Sequence, residues 1–246
     1  MKKIIIPTLC FHSVRHERHG DAFAVTPNKF SEIIEFISDK FGTWDMNDID
    51  ESIVKNNFAP NNKVLVTFDD GYKDNYQIVL PILKKYHVKA VFFLLPTCLG
   101  KNNLWNTRSE VVINHMNLRE AKLIADEGHS IGSHGMTHHR LTKFSDKIVT
   151  KELVESKKIL ERMINVNIDC YAYPYGATDA RIAKLAKKIY KYSFGVDNSP
   201  VDWTKSNFAE IRREFVWPTN TIEQINELVT NFGIYNNNPN NIVVSS

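Results

Sequence analysis

The stretch Val64–Tyr72, Val-Leu-Val-Thr-Phe-Asp-Asp-Gly-Tyr, constrains the fold of this chain more than any other. Val64 to Phe68 is a short apolar run, rich in β-branched and aromatic residues and without alternation. That is the pattern of a strand covered on both faces, and hence of a parallel sheet flanked by helices. The run ends in Asp69 and Asp70, followed by Gly71, and helical residues resume from Tyr72 to Tyr86. In parallel α/β folds the carboxyl ends of strands are where ligands bind and catalytic groups sit. A turn in which Asp caps the next helix and Gly takes an unusual backbone angle accounts for one of the carboxylates. Two adjacent ones at a buried strand end repel and raise each other's pKa unless a cation lies nearby.

The rest of the chain alternates in the same way. Lys3 to Phe11 reads as a first strand that delivers His12 at its end. Thr26-Pro27 signals a helix start, with Thr as cap and Pro in the first turn, and the spacing Phe30, Ile33, Ile34, Phe36, Ile37, Phe41 predicts an amphipathic helix. A short strand is expected near Thr43-Trp44 and a helical piece from Asp48. In the helix from Tyr72, Pro81 predicts a kink or a break. Further strands are predicted over Lys89–Leu95, His129–His134, Ile168–Tyr173, Tyr192–Val196 and Ile211–Trp217. Helices are predicted from Asn117 to about Gly128 and over Lys147–Ile164, Thr178–Lys191 and Thr221–Phe232, with a mixed insertion at Asn102–Met116 and a loop at Asn198–Asn207. Alternation repeated about seven times, with no repeat and no linker, gives one α/β domain over residues 1–246. A distorted (β/α) barrel of about seven parallel strands, TIM-like, accounts for the regular alternation better than an open parallel sheet.

Composition excludes several classes. A net charge of +3, with no dense Lys/Arg run, does not predict a nucleic-acid partner. No apolar run approaches the length of a membrane span, so no stable membrane insertion is expected. Cys10, Cys98 and Cys170 are scattered and odd in number, which supports neither a disulfide framework nor a thiolate metal site and fits a reducing compartment. Met1-Lys-Lys-Ile-Ile-Ile-Pro reads as strand rather than export signal, because the apolar stretch breaks at Pro7 without a small-residue cleavage site. A cytoplasmic protein is the resulting expectation.

The second chemically informative stretch is Ser133-His134-Gly-Met-Thr-His138-His139-Arg-Leu141, which begins at a strand end. Two histidines four apart share one face if the stretch turns helical, and both rings then reach one metal ion. A single histidine is more often a packed or solvated residue than a ligand. Three of the chain's nine histidines, however, fall within six positions. With Asp70 they make a two-His, one-carboxylate set that leaves coordination positions open for water and substrate.

Thr67-Phe68-Asp69-Asp70-Gly71 and His134-x-x-x-His138, followed by Leu141, resemble the first two motifs of the polysaccharide deacetylases, carbohydrate esterase family 4, which share the nodulation-type chitooligosaccharide deacetylase domain. Tyr173-Pro174-Tyr175-Gly176 resembles that family's third motif. The resemblance implies that Asp70, His134 and His138 hold a divalent metal, zinc or another such as cobalt, and that Asp69 is the general base. It also implies that the backbone N–H of Tyr175 helps hold the developing oxyanion. His139 is left as a neighbouring or substrate residue, since the family's His-x-x-Leu ending matches His138 to Leu141.

The chain departs from the family pattern in two places. No histidine follows His139, so the acid that protonates the leaving amine is expected from His12, in Leu9-Cys-Phe-His-Ser-Val14. This is similar to the poly-N-acetylglucosamine deacetylase branch, where the acid histidine precedes the Asp-Asp motif. Ala172 stands where the third motif carries an Arg, and Arg213 is the candidate to supply that guanidinium; a solvated Arg212–Arg213 pair is the alternative. Asp202-Trp203 weakly resembles a fourth motif. Trp105, Tyr173, Tyr175 and Trp217 are positioned to stack on a sugar or to pack, and His16 and His19 belong to a polar loop.

The resulting expectation is a metal-dependent hydrolase that removes an N-acetyl or N-formyl group from an amino sugar, glycan or glycan intermediate. The alternatives are a catalytically impaired carbohydrate-binding protein on the same scaffold and an amidohydrolase acting on a non-sugar amide. The residues do not specify the oligomeric state.

Overall fold

The computed structural model describes residues 5–16, 21–49, 51, 63–103, 112–196, 203 and 208–232. Seven parallel strands form one sheet: β1 (Thr8–Phe11), β2 (Leu65–Phe68), β3 (Val91–Leu94), β4 (Ser130–Ser133), β5 (Cys170–Ala172), β6 (Tyr192–Phe194) and β7 (Glu214–Phe215). Their order is β6-β5-β4-β3-β2-β1-β7. The sheet curls almost shut. Phe194 of β6 makes a parallel bridge to Ile211, and three residues later Glu214 pairs with Leu9 of β1. The segment 211–215 thus spans the gap between the two sides of a distorted barrel, as the strand count and alternation predict.

The helices are α1 (Pro27–Lys40), α2 (Met46–Ile49), α3 (Leu80–Lys85), α4 (Leu118–Asp126), α5 (Asp146–Ile164), α6 (Ala180–Ala186) and α7 (Ile222–Thr230). Their starts follow local chemistry. The Thr26 hydroxyl accepts from the Lys29 N–H with Pro27 in the first turn of α1, and Asn117 with Glu120 forms a full capping box on α4. Thr221 with Gln224 does the same for α7. The long helix α5 ends on Asn165 in the left-handed region, φ 67°. The break expected at Pro81 takes the form of a π-helical stretch, Asn75–Val79, joined to α3 with Pro81 in its first turn. Proline has no N–H for the α-helical ladder, and the junction removes the need for one.

All residues of β1, β2 and β3 are buried, as their unalternating composition requires. Within each strand the side chains nevertheless divide by parity. Leu9, Phe11, Val66, Phe68, Phe92 and Leu94 pack outward with Phe30, Ile33, Ile34 and Ile37 of α1 in one apolar cluster. Leu65, Val91, Phe93, Cys170, Ala172, Tyr192, Phe194 and Ile211 form a second cluster, which fills the barrel. Cys10 and Thr67, paired in register between β1 and β2, share the inward parity. Continuing that parity by two residues brings His12 and Asp69 to the barrel's carboxyl rim. Cys10, Cys98 and Cys170 are all buried thiols.

Candidate metal centre and active site

Each expected site residue among the described ones sits just past a strand end or at the barrel closure. Asp69 and Asp70 follow β2; Asp70 has φ 71° and Gly71 φ 67°. His134 and His138 follow β4, Tyr175 follows β5, and His12 follows β1. Arg213 precedes β7 in the segment that closes the barrel.

Asp70, His134 and His138 are brought together. Asp70 Oδ1 lies 3.5 Å from His134 Nε2 and 3.2 Å from His138 Nε2, and all three side chains are buried. The route differs from the expected helical face. Residues 134–140 are not helical: Gly135 has φ 83° and His138 φ 58°, and the next helical turn begins only at Leu141. The chain reverses at Gly135, and Glu152 of α5 pins the loop by accepting from the Met136 N–H and the Thr137 hydroxyl, each at 2.8 Å. Spacing by four brings both rings to the Asp70 carboxylate through this loop rather than through a helix.

The donor chemistry of the three residues fits a cation. His134 Nδ1 is 2.8 Å from the Ala172 carbonyl, which can only accept, so the proton sits on Nδ1. In the neutral ring Nε2 is then a bare lone pair facing the Asp70 carboxylate. Burial keeps that ring neutral, with its pKa pushed down to about 4. Two electron-rich atoms held together in a dry site are stabilised by a positive ion between them, and imidazole nitrogen with carboxylate oxygen is a transition-metal donor set. Burial raises the Asp70 carboxyl, but the His138 imidazole, aided by His12 and His134, overcomes this and holds it well below the carboxylate range. The Asp70 backbone is also held: His115, itself buried, hydrogen-bonds its carbonyl through Nδ1 at 2.8 Å, with its ring against Tyr72.

Asp69 lies beside this trio, and its partner is Arg213. The guanidinium donates to Oδ1 at 2.6 Å and to Oδ2 at 2.8 Å, with the Arg213 side chain fully buried and that of Asp69 4% exposed. Arg213 also donates to the Gly195 carbonyl and the Thr67 hydroxyl, both at 3.3 Å, so that little of its hydrogen-bonding capacity is left unused. Burial raises the Asp69 carboxyl and the Arg213 charge more than reverses it, so the acid is held below its usual range. The arrangement is a buried bidentate pair, not a solvated Arg212–Arg213 pair; Arg212 turns to Glu214 instead.

His12 is half-buried at the same rim. One ring nitrogen, the Cys10 sulfur and an Asp69 oxygen all lie within 4.8 Å of one another. Phe23 stacks on the His12 ring at 4.7 Å and Trp217 stacks on Phe23 at 5.2 Å, which makes an aromatic wall beside it. Tyr175, at φ 60° and half-exposed, lays its ring 4.6 Å from that of His138. Tyr173 is fully buried and its hydroxyl donates to the Ala209 carbonyl, so it packs. Trp203 also packs, against Tyr192 and Phe208, while Asp202, Trp105 and His19 lie outside the described residues. His139 is exposed, hydrogen-bonded to Thr137 and turned toward Phe144.

Two neighbours of the site escaped the motif search. Cys10 has its sulfur 3.6 Å from Asp69 Oδ2, and its position two residues before His12 on one strand was the available signal. His115 lies in the mixed insertion, where no pattern points to it.

Known proteins resemble this chain in sequence and in fold. YxkH of Bacillus subtilis is 28% identical over 196 residues, which is 79% of this chain and 65% of that protein. A poly-β-1,6-N-acetyl-D-glucosamine N-deacetylase of Staphylococcus epidermidis is 28% identical over 155 residues, 61% of this chain and 53% of the relative. The chain therefore spans about half to two thirds of these relatives. Among solved structures, the Streptococcus pyogenes deacetylase PplD superposes with a TM-score of 0.78 at 22% identity, covering 93% of this chain and 99% of that one. IcaB from Ammonifex degensii gives 0.77 at 17% identity, covering 92% and 97%. Both share the fold. The polysaccharide deacetylase family pattern matches residues 56–192, more than half of the sequence and inclusive of both acid and histidine motifs, and the chain belongs to that family.

Proposed function

We propose that this protein is a metal-dependent hydrolase that removes an N-acetyl or N-formyl group from an amino sugar or a glycan built from it. The observation that carries the reading is the convergence, at one barrel rim, of a buried Asp70–His134–His138 trio with an Asp69 held ionised by Arg213. Asp70, His134 and His138 would hold a divalent ion, with zinc or cobalt suited to the two imidazoles. When bound, such an ion lowers the pKa of a water toward neutrality and polarises the acyl carbonyl. Asp69 takes the proton of the attacking water; the Arg213 fork fixes its orientation and keeps it charged beforehand. The Tyr175 N–H donates to the developing oxyanion. His12 delivers a proton to the departing amine from a ring nitrogen within 4.8 Å of the Asp69 carboxylate, close enough for the proton taken by one group to be returned through the other.

The family's name and the S. epidermidis relative point to N-acetylated glycans as substrate, and the aromatic wall of Phe23 and Trp217 beside His12 offers a face for a sugar ring. The impaired-enzyme alternative rested on the absent motif-three Arg and the displaced acid. The Arg213 fork on Asp69 and the nearness of the His12 ring to that carboxylate support the catalytic reading. Removal of metal by a chelator is expected to abolish amine release from N-acetylglucosamine oligomers, with zinc or cobalt restoring it, and Asp70→Ala is expected to be inactive and metal-free. Full activity in the Asp70→Ala protein contradicts the reading.

A further inference from the structure

We infer that the groove beside His138 and Tyr175 binds an anionic group, so that the substrate of this site is an acylated amino sugar bearing a phosphoryl or carboxylate substituent. The inference deepens the deacetylase reading and rests on it for the reaction involved. The groove encloses about 580 Å³, with His138 and Tyr175 among its lining residues. Three cationic side chains line it as well, and they arrive from two separate loops. Lys101 comes from the turn after β3, and Arg140 and Lys143 come from the segment after β4. All three are exposed. Among the described residues no carboxylate pairs with any of them, and no Asp or Glu lines the groove.

Of the acids that follow this loop in the chain, Asp146 pairs with Arg181, and Glu152 is buried beneath the loop and committed to the Met136 N–H and the Thr137 hydroxyl. The Arg140 guanidinium lies 4.9 Å from the Tyr175 ring centre, which holds its charge next to the residue beside the ion site. Several other surface cations meet carboxylates, Lys84 with Glu127, Lys157 with Glu161 and Arg181 with Asp146, whereas Lys101, Arg140 and Lys143 converge on one concavity beside the candidate site. Three unneutralised cations around one concavity repel one another in the free protein, and a bound anion relieves this while gaining charge-assisted hydrogen bonds. Neutral chitin-like sugars give these side chains nothing to neutralise.

The test compares the affinity of the zinc-loaded protein for three probes: N-acetylglucosamine, N-acetylglucosamine 1-phosphate and N-acetylmuramic acid. At least one anionic probe is expected to bind about tenfold tighter than the neutral sugar at low salt, a preference that high salt diminishes. In Lys101→Gln/Lys143→Gln the ratio of affinities is expected to fall toward one. This step separates capture by the groove from direct ligation of the anion to zinc. The phosphoryl and carboxylate arms tell which group is taken. Equal affinities for all three probes, or a preference that survives in the double variant, overturn the inference. Amine release is followed in the same samples. Release without a charge preference sinks the inference alone, whereas a charge preference without release from any N-acyl sugar supports anion binding and removes the deacetylase reading.

Discussion

Replacing Arg213 with Met removes the guanidinium from Asp69 while keeping most of the side-chain volume. Asp69 is then a carboxylate at 4% exposure that has lost two hydrogen bonds, of 2.6 and 2.8 Å, and the cation that made them. Breaking a buried pair in this way costs roughly 3–5 kcal/mol, against about 0–1 kcal/mol for a solvated pair, so the measurement decides which kind this is. In urea the larger value corresponds to a midpoint shift of roughly 1–2 M for a chain of this size. The assay is urea unfolding of chelator-treated wild type, Arg213→Met, Asp69→Asn and the double variant. The double variant is expected to lose less than the sum of the singles by about 2–3 kcal/mol, since it strands neither charge. The pH dependence gives a second reading. In the wild type the Asp69 pKa is below its unfolded value, so its stabilisation is present above about pH 3.9 and is lost as pH falls through the folded value. In Arg213→Met the largest influence opposing burial is gone and only His134 and His12 remain against it, so the carboxyl rises and protonation relieves the penalty. The gap between the two proteins should therefore narrow as pH falls from 7 toward 4. Additive single effects, or a gap independent of pH, refute the buried-pair account.

Three further outcomes are expected. Burial, assisted by Lys89, pushes the His129 pKa down to about 4, and its Nδ1 accepts from the Ala90 N–H at 3.2 Å, as only a neutral ring can. The unfolded chain binds the proton more readily, so stability rises with pH between about 4 and 6.5. Acidification through that window should cost the wild type roughly 2–3 kcal/mol more than His129→Asn in urea unfolding. His115→Phe keeps a ring against Tyr72 but loses the bond to the Asp70 carbonyl, and metal affinity measured against a chromophoric chelator should drop about 10- to 100-fold. Gly132→Ala puts a methyl 2.4 and 2.5 Å from two Phe93 ring carbons inside the barrel, and should destabilise by about 1–3 kcal/mol in thermal unfolding.

Much of this molecule is legible in one dimension because its signals are local. An unalternating run such as Val64–Phe68 can be stable only where both faces are covered, and Thr26-Pro27 or Asn117-x-x-Glu120 starts a helix through bonds made within a few residues. The adjacent carboxylates Asp69 and Asp70, and the pair His134 and His138, likewise mark a candidate ion site, because like charges and clustered imidazoles at strand ends are stabilised by a cation. The conformation of that second motif is not legible in its spacing. Spacing by four suits a helix, but Gly135 in the left-handed region and Glu152 contributed by α5 make a pinned loop, and a helix more than ten residues away is invisible to a spacing rule. Arg213 was a candidate by type alone. Its fork on Asp69 exists because segment 211–215 closes the barrel between β6 and β1, across 144 residues of chain. The cationic groove is further still from anything local: Lys101, Arg140 and Lys143 form no run, and the absence of one argued against a polyanion partner. Residue type and short-range periodicity thus determined the elements and the reactive groups. The barrel's closure decided which charges face each other, because Coulombic neighbours are set by distance through space, which the order of residues along a chain does not record.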